Sequence, residues 1–288
     1  AAWAEVVNAA YQQVVVRGAV GEGAPPDMVR AGPPAATPAP YSPHARFDTV
    51  FRPTSHNSYS KDAAPHLVDV LSAVLSIEID IWDDYVAEGP AMPSHWFVRH
   101  NPFTGNDSNG SGSGDLEACL GDVARYCADN PDHAVVTLFI EKKQGWGDTR
   151  RPSDFDALVL RVLGKKRLYV PADLRGGFAS EREAARAGAW PSEESLRGRV
   201  LVILHGGQWH GLGANQVLSE YAVERGGGAA AFVAPETGGA GDIVATPGGF
   251  DDEGADRVVF FNLDADAAHL APMIRLWVDL ISRGSVPG

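Results

Sequence analysis

Cysteine is nearly absent from this chain: Cys119 and Cys127 are its two representatives among 288 residues. Both fall in the segment 115–129, whose apolar positions 116, 119, 120, 123 and 127 follow a helical period. Eight residues of helix separate the two Cα atoms by about 12 Å, too far for a disulfide. They read as two buried thiols on a core-facing stripe, and a secreted location is neither demanded nor excluded by them. With no Cys cluster and no HExxH motif, zinc is disfavoured. No GxGxxG or Walker-type loop follows a strand, which weakens a nucleotide-binding reading. No run of about 18 apolar residues occurs, so no membrane-spanning helix is expected. The chain opens on Ala1 without a basic-then-apolar leader. A processed or trimmed chain is therefore expected, with no signal peptide visible. Positive charge is also short: 24 Lys and Arg against 37 Asp and Glu give a formal charge of −13. That balance disfavours nucleic acid and general adhesion to anionic membranes. An anionic substrate stays open, because a bound cation reverses the field inside one pocket.

What is present suffices for a large fold. Hydrophobic residues make up 44% of the chain, enough to bury a full core. Residues 2–16 are a candidate helix, and 21–44 are rich in Pro, Gly and Ala with little periodicity. Residues 1–45 are thus expected to be a helix and linker packed on a domain spanning 46–288. From Phe47 onward, apolar runs alternate with helical stretches. Strands are expected at 47–54, 75–82, 96–100, 134–141, 199–205, 229–234 and 257–263. Helices are expected at 64–74, 115–129, 152–163, 181–188, 213–224 and 266–282. Several strands are continuous apolar runs, as when helices cover a parallel sheet. The alternation predicts an α/β protein, a TIM-type (β/α) barrel or a doubly wound sheet. After 266–282 six residues remain, too few for a comfortable final strand. A barrel distorted or incomplete at its C-terminal end is expected.

Polar residues gather at the ends of these strands. In Ile77-Glu78-Ile79-Asp80-Ile81 the carboxylates share one face of the strand and the isoleucines the other. Two carboxylates inside an apolar strand are costly unless a cation or donors hold them. His56 and Asn57 follow the first strand, His100 ends the third, and Glu141 and Lys143 end the fourth. A barrel sets such ends around one mouth. Glu78, Asp80 and Glu141 offer hard oxygen ligands and Asn57 an amide oxygen, a set that suits Ca²⁺, and Mg²⁺ less well. His56 and His100 are imidazoles able to act as acid, base or donor near neutral pH. Lys143 shares the face of Glu141 and can pair with a phosphate. Metal, lysine and two histidines together suit phosphoryl transfer.

The strings SHNSY, IEIDIW, VRHNP and FIEKK, in this order, resemble the catalytic core of the bacterial calcium-dependent phosphatidylinositol-specific phospholipases C. The likeness is carried by residues 47–143. It implies attack by the inositol 2-hydroxyl on phosphorus, departure of diacylglycerol and a cyclic phosphodiester product. It further implies Ca²⁺ on Asn57, Glu78, Asp80 and Glu141, transition-state stabilisation by His56, and protonation of the leaving oxygen by His100. The base is Glu78 or Glu141. By the same resemblance a secreted, monomeric enzyme acting on a phospholipid or small phosphodiester is expected, with transient contact at a membrane surface.

Other readings compete. A glycerophosphodiesterase or sphingomyelinase D relative would share the carboxylate pair and two histidines, although such families more often open on His-Arg-Gly where this chain has His-Asn. A barrel that keeps the site but acts as a binding module is the third. His205 follows an apolar strand and precedes two glycines, so it is a candidate substrate contact. Asp83, Asp84 and Asp264 are assigned to caps, turns or an outer layer of the site. The remaining histidines, at 44, 66, 95, 133, 210 and 269, read as ordinary surface or core residues. Glu78 and Asp80 have an alternative in buried pairs with Arg52 or Arg99. The loop 104–114 reads as a solvated connector, with a lid as the alternative. Trp96, Phe97 and Trp146 are candidates for a lipid-touching rim or for the core.

Overall fold

A computed structural model of the protein describes residues 43–50, 52, 54–83, 96–101, 105–148, 150–209, 217–237 and 254–263. The helices expected over 2–16 and 266–282 lie outside the described residues, with nearly all of 21–44 and with Asp84, His95, His210, Asp264 and His269. The described strands are β1 (Ser76–Trp82), β2 (Phe97–Val98), β3 (Val136–Lys142), β4 (Val200–Gln208), β5 (Phe232–Thr237) and β6 (Asn262–Leu263). The described α-helices are α1 (Leu67–Ala73), α2 (Leu116–Asp129), α3 (Pro152–Leu163), α4 (Pro171–Arg175), α5 (Glu181–Arg186) and α6 (Val217–Arg225). One sheet forms in the order β2-β1-β3-β4-β5-β6. From β1 to β6 the neighbours are parallel, and β2 is antiparallel on the edge of β1. This is the α/β class expected, with α-helices between β1 and β3, β3 and β4, and β4 and β5 as in a TIM-type barrel. Among the described residues the sheet runs from β2 to β6 without closing.

The two faces of the sheet differ in chemistry. Ile77, Ile79, Ile81, Leu138, Ile140, Val202 and Leu204 meet the helices in one mainly aliphatic core. On the opposite face, Phe47, Tyr169, Trp190, Leu201, Ile203 and Phe232 form a second core. Its rings interlock, with Trp190 and Phe232 centroids 5.6 Å apart and Phe232 and Phe260 5.4 Å apart. A face filled by side chains at one end leaves the other end for chemistry.

Several elements depart from expectation. In place of a strand over 47–54 stand a 3₁₀ turn, Phe47–Thr49, and a single parallel bridge from Ser55 to Ile77. Pro53 lacks the N–H that a ladder there would need. The segment 96–100 contributes two strand residues, because Trp82 Nε1 donates to the Arg99 carbonyl at 3.0 Å and takes it out of the ladder. β5 starts later than 229, since the N–H groups of Ala230 and Ala231 go to Asp156 and to the Tyr221 hydroxyl. Most of 257–263 is a 3₁₀ turn followed by extended chain, and strand pairing begins at Asn262. The helix Pro171–Arg175 has no counterpart in the periodicity. It starts on Pro at N1, and Asp173 accepts from the Val170 N–H at 3.0 Å.

The largest correction concerns the loop before α2. Its Gly, Ser and Asn content reads as solvated connector, yet Ser108 and Asn109 are buried. The Asn109 side-chain amide donates to the carbonyls of Ser58, Ser60 and Ala64 at 3.0–3.1 Å, and its backbone N–H donates to Tyr59 O at 2.7 Å. At the other end Asp122, buried on α2, accepts from the Ser111 N–H at 2.8 Å and the Ser111 hydroxyl at 2.6 Å. The loop is therefore a brace between α2 and the turn that follows Ser55. Trp96 and Phe97 are buried, and Trp146 stacks against Tyr221 at 6.1 Å, so all three serve the core. Cys119 and Cys127 are free and buried.

Candidate active site

The sheet register assembles the site. Asp80 on β1 lies opposite Glu141 on β3, and Glu141 opposite His205 on β4, so the three form one row. Glu78 sits one step back along the same face, opposite Phe139. The row stands at the C-terminal ends of the strands, and residues of the aromatic core lie on the same face behind it.

The turn after Ser55 is bound tightly to β1. Ser58 donates its N–H to Glu78 O at 3.1 Å, and its hydroxyl accepts the Glu78 N–H at 3.0 Å. Asn57 takes a left-handed conformation, φ 49°, which asparagine tolerates better than most residues. That twist aims the Asn57 N–H at Glu78 Oε2, 2.9 Å away. His56 Nε2 lies 3.4 Å from the same oxygen, while 77% of its side chain is exposed. His100, 73% exposed, brings Nδ1 to 3.3 Å from Asp80 Oδ2. The two imidazoles thus stand at the mouth, reachable from solvent, over carboxylates that are largely buried.

Lys143 joins the carboxylates, with Nζ 3.2 Å from Asp80 Oδ2 and 2.6 Å from Glu141 Oε2. Burial pulls its ammonium down, but the Glu141 hydrogen bond and the charges of Asp80 and Glu141 outweigh it and raise the pKa. Burial raises the Glu78 carboxyl above the usual range, against the Asn57 N–H and the nearby His56. Burial lowers His205 to about 4, so its ring is neutral at physiological pH. His205 Nε2 is 3.5 Å from Glu78 Oε1, and neither ring nitrogen has a hydrogen-bond partner. A buried polar atom left without a partner costs about 1–3 kcal/mol, an expense that sites for ligands commonly carry.

All eight residues singled out in the sequence are therefore brought together: His56, Asn57, Glu78, Asp80, His100, Glu141, Lys143 and His205. The alternative pairing with arginine does not form. Arg52 pairs with Glu193, and Arg99 lies over the Phe97 ring at 4.5 Å. Two neighbours escaped the sequence reading. Tyr59, buried, donates its hydroxyl to Asp80 Oδ2 at 2.9 Å and lies 3.1 Å from Asn57 Oδ1. Its place two residues after Asn57 was the available signal. Glu236 on β5 accepts from the Gly207 N–H at 3.3 Å. It sits where β4 bulges between His205 and Gln208. The bulge depends on Gly206, φ 121°, where a Cβ would lie 2.4 Å from Lys142 O. Glu236 was invisible because the strand expected there ended at 234.

The donor set fits a hard divalent cation. Glu78, Asp80 and Glu141 share one face of the sheet, and Asp80 Oδ1 is buried without a hydrogen-bond partner. Ligand atoms of Glu78, Glu141 and His205 all lie within 4.8 Å of one another.

The chain is similar to solved structures of calcium-dependent bacterial phospholipases C. A calcium-dependent phosphoinositol-specific phospholipase C from a Gram-negative bacterium, Pseudomonas sp, in apo form, is 36% identical, with 78% of each chain covered and a TM-score of 0.70. Its myoinositol complex is 36% identical over 76% of each chain, with a TM-score of 0.69. The Ca²⁺-dependent phosphatidylinositol-specific phospholipase C from Streptomyces antibioticus is 30% identical over 74% of this chain and 73% of its own, with a TM-score of 0.63. No protein-family model and no curated protein sequence matches the chain.

Proposed function

The chain belongs to the bacterial calcium-dependent phosphoinositol-specific phospholipase C family, and from that membership we propose that it cleaves phosphatidylinositol to diacylglycerol and a cyclic inositol phosphate. The observation that carries the proposal is the convergence of Glu78, Asp80 and Glu141 on one face, beneath the exposed rings of His56 and His100.

Asn57, Glu78, Asp80 and Glu141 are the residues that would hold calcium. The ion supplies charge neutralisation and a lowered pKa for an attacking hydroxyl. The rest is done by the chain's own groups. His56, fixed beside Glu78, donates to the phosphoryl oxygens as charge builds on them. His100, oriented through Nδ1 by Asp80, presents its other ring nitrogen to the leaving glycerol oxygen and gives it a proton. Glu78 and Glu141 both border the reacting space, and either can accept the proton of the inositol 2-hydroxyl. Lys143 offers an ammonium to the phosphate, and the neutral His205 ring lines the floor as a contact for the head group. Among the described residues no helix is long and apolar enough to cross a membrane. A secreted monomer that meets its lipid transiently at a surface accords with the family resemblance.

The test is incubation with phosphatidylinositol vesicles, with calcium or with chelator. Cyclic inositol phosphate is expected with calcium alone. Its absence in both arms overturns the proposal. Parallel arms with phosphatidylcholine and with glycerophosphodiesters separate inositol cleavage from the other head groups.

A further inference from the structure

We propose that Tyr59 is a positioning residue for the cation, its hydroxyl fixing which oxygen of Asp80 faces the ion. The inference rests on the calcium set proposed above and adds to it a residue outside that set.

Three donors converge on one oxygen of Asp80. Oδ2 receives the Tyr59 hydroxyl at 2.9 Å, with Lys143 Nζ at 3.2 Å and His100 Nδ1 at 3.3 Å. Oδ1 is buried and receives none. The carboxylate is thereby held in one orientation, with a single oxygen kept free. The same hydroxyl lies 3.1 Å from Asn57 Oδ1, so one proton ties together two candidate ligands that come from different segments. The phenol hydroxyl is a neutral donor, so it orients the carboxylate without adding positive charge beside a cation. Its own backbone is fixed, since its carbonyl accepts from the buried Asn109. Lys143 and His100 are more exposed and reach Oδ2 on longer side chains or from a separate loop. Tyr59, 2% exposed, is the donor of the three with least freedom. Residues that orient metal ligands typically alter affinity about 10–100-fold when lost.

Calorimetric titration of calcium into the whole chain, without lipid, tests this. Tyr59→Phe removes the oxygen and keeps the ring packing. It is expected to weaken calcium binding about 10-fold. Against an Asp80→Ala background, Tyr59→Phe is expected to change the remaining affinity less than about twofold, because the oxygen it orients is gone. Unchanged calcium affinity in Tyr59→Phe overturns the proposal, as does an equal loss in both backgrounds, which would mark Tyr59 as a general packing residue. Absence of calcium binding by the parent chain overturns this inference together with the ligand set on which it rests. Calcium binding by the parent without cleavage of phosphatidylinositol would count against the enzymatic reading alone.

Discussion

Two lysines, adjacent at the end of β3, form carboxylate pairs on opposite sides of the sheet. Lys142 points to the helix side. Its Nζ lies 2.5 Å from Asp83, 2.7 Å from the Gln144 carbonyl and 3.1 Å from the Gly145 carbonyl, with the Trp146 ring centroid at 4.6 Å. The side chain is 0% exposed, and burial pulls its ammonium below the usual range. Lys143 points to the mouth, between Asp80 and Glu141, and remains 20% exposed. The inward pair ties the ends of β1 and β3, and its ammonium is saturated by three oxygen partners. The outward group sets one ammonium against two carboxylates, an excess of negative charge that a cation can neutralise. The same residue types at the ends of the same two strands thus do opposite work, according to the side to which the alternating backbone turns them.

Breaking the inward pair should have the largest effect. Lys142→Met leaves the Asp83 carboxylate buried without its ammonium and is expected to cost about 3–5 kcal/mol of stability, read as a lower urea midpoint. Turnover per folded molecule should change far less, and an unaltered midpoint would refute the structural role. At the mouth the signs reverse. Asp80→Asn is expected to reduce calcium-dependent cleavage by about 100-fold or more. Its melting temperature without calcium should hold or rise, since a crowded buried charge is removed. A fall in stability as large as that of Lys142→Met would erase the distinction between the two pairs. Lys143→Met should lower turnover about 10–100-fold through loss of a charged hydrogen bond. The upward shift in melting temperature caused by calcium should grow, because the ammonium no longer satisfies the same carboxylates. The smallest effect belongs to a solvent-exposed pair. Arg161 lies 2.6 Å from Glu117, both about half exposed, and Glu117→Gln should change stability by less than about 1 kcal/mol with cleavage unaffected.

Much of this arrangement was legible in one dimension. The period of 2 in Ile77–Ile81 separates carboxylates from isoleucines, and the structure keeps that separation. The α2 stripe containing Cys119 and Cys127 appears where the helical period put it. Glu78, Asp80 and Glu141 are polar groups interrupting apolar runs, and such interruptions cost enough to stand out. The brace at Asn109 was not legible. Its neighbours are the small polar residues of any solvated loop, and its burial follows from three carbonyls brought to it by a distant turn. Glu236 was missed for a related reason. The start of β5 is set by Asp156 and Tyr221, side chains on other elements that capture the strand's first N–H groups.

The sequence by itself determined the chemistry available and the face of each strand that carries it, because side-chain alternation is a local property of extended backbone. Only the tertiary structure decided how those faces align. The register of β1, β3 and β4 sets Asp80, Glu141 and His205 in one row, and the left-handed Asn57 aims its N–H at Glu78. It also turned Tyr59 from an aromatic in a turn into a buried donor between two candidate ligands, since a hydrogen bond across 21 residues of chain depends on packing that no local pattern encodes.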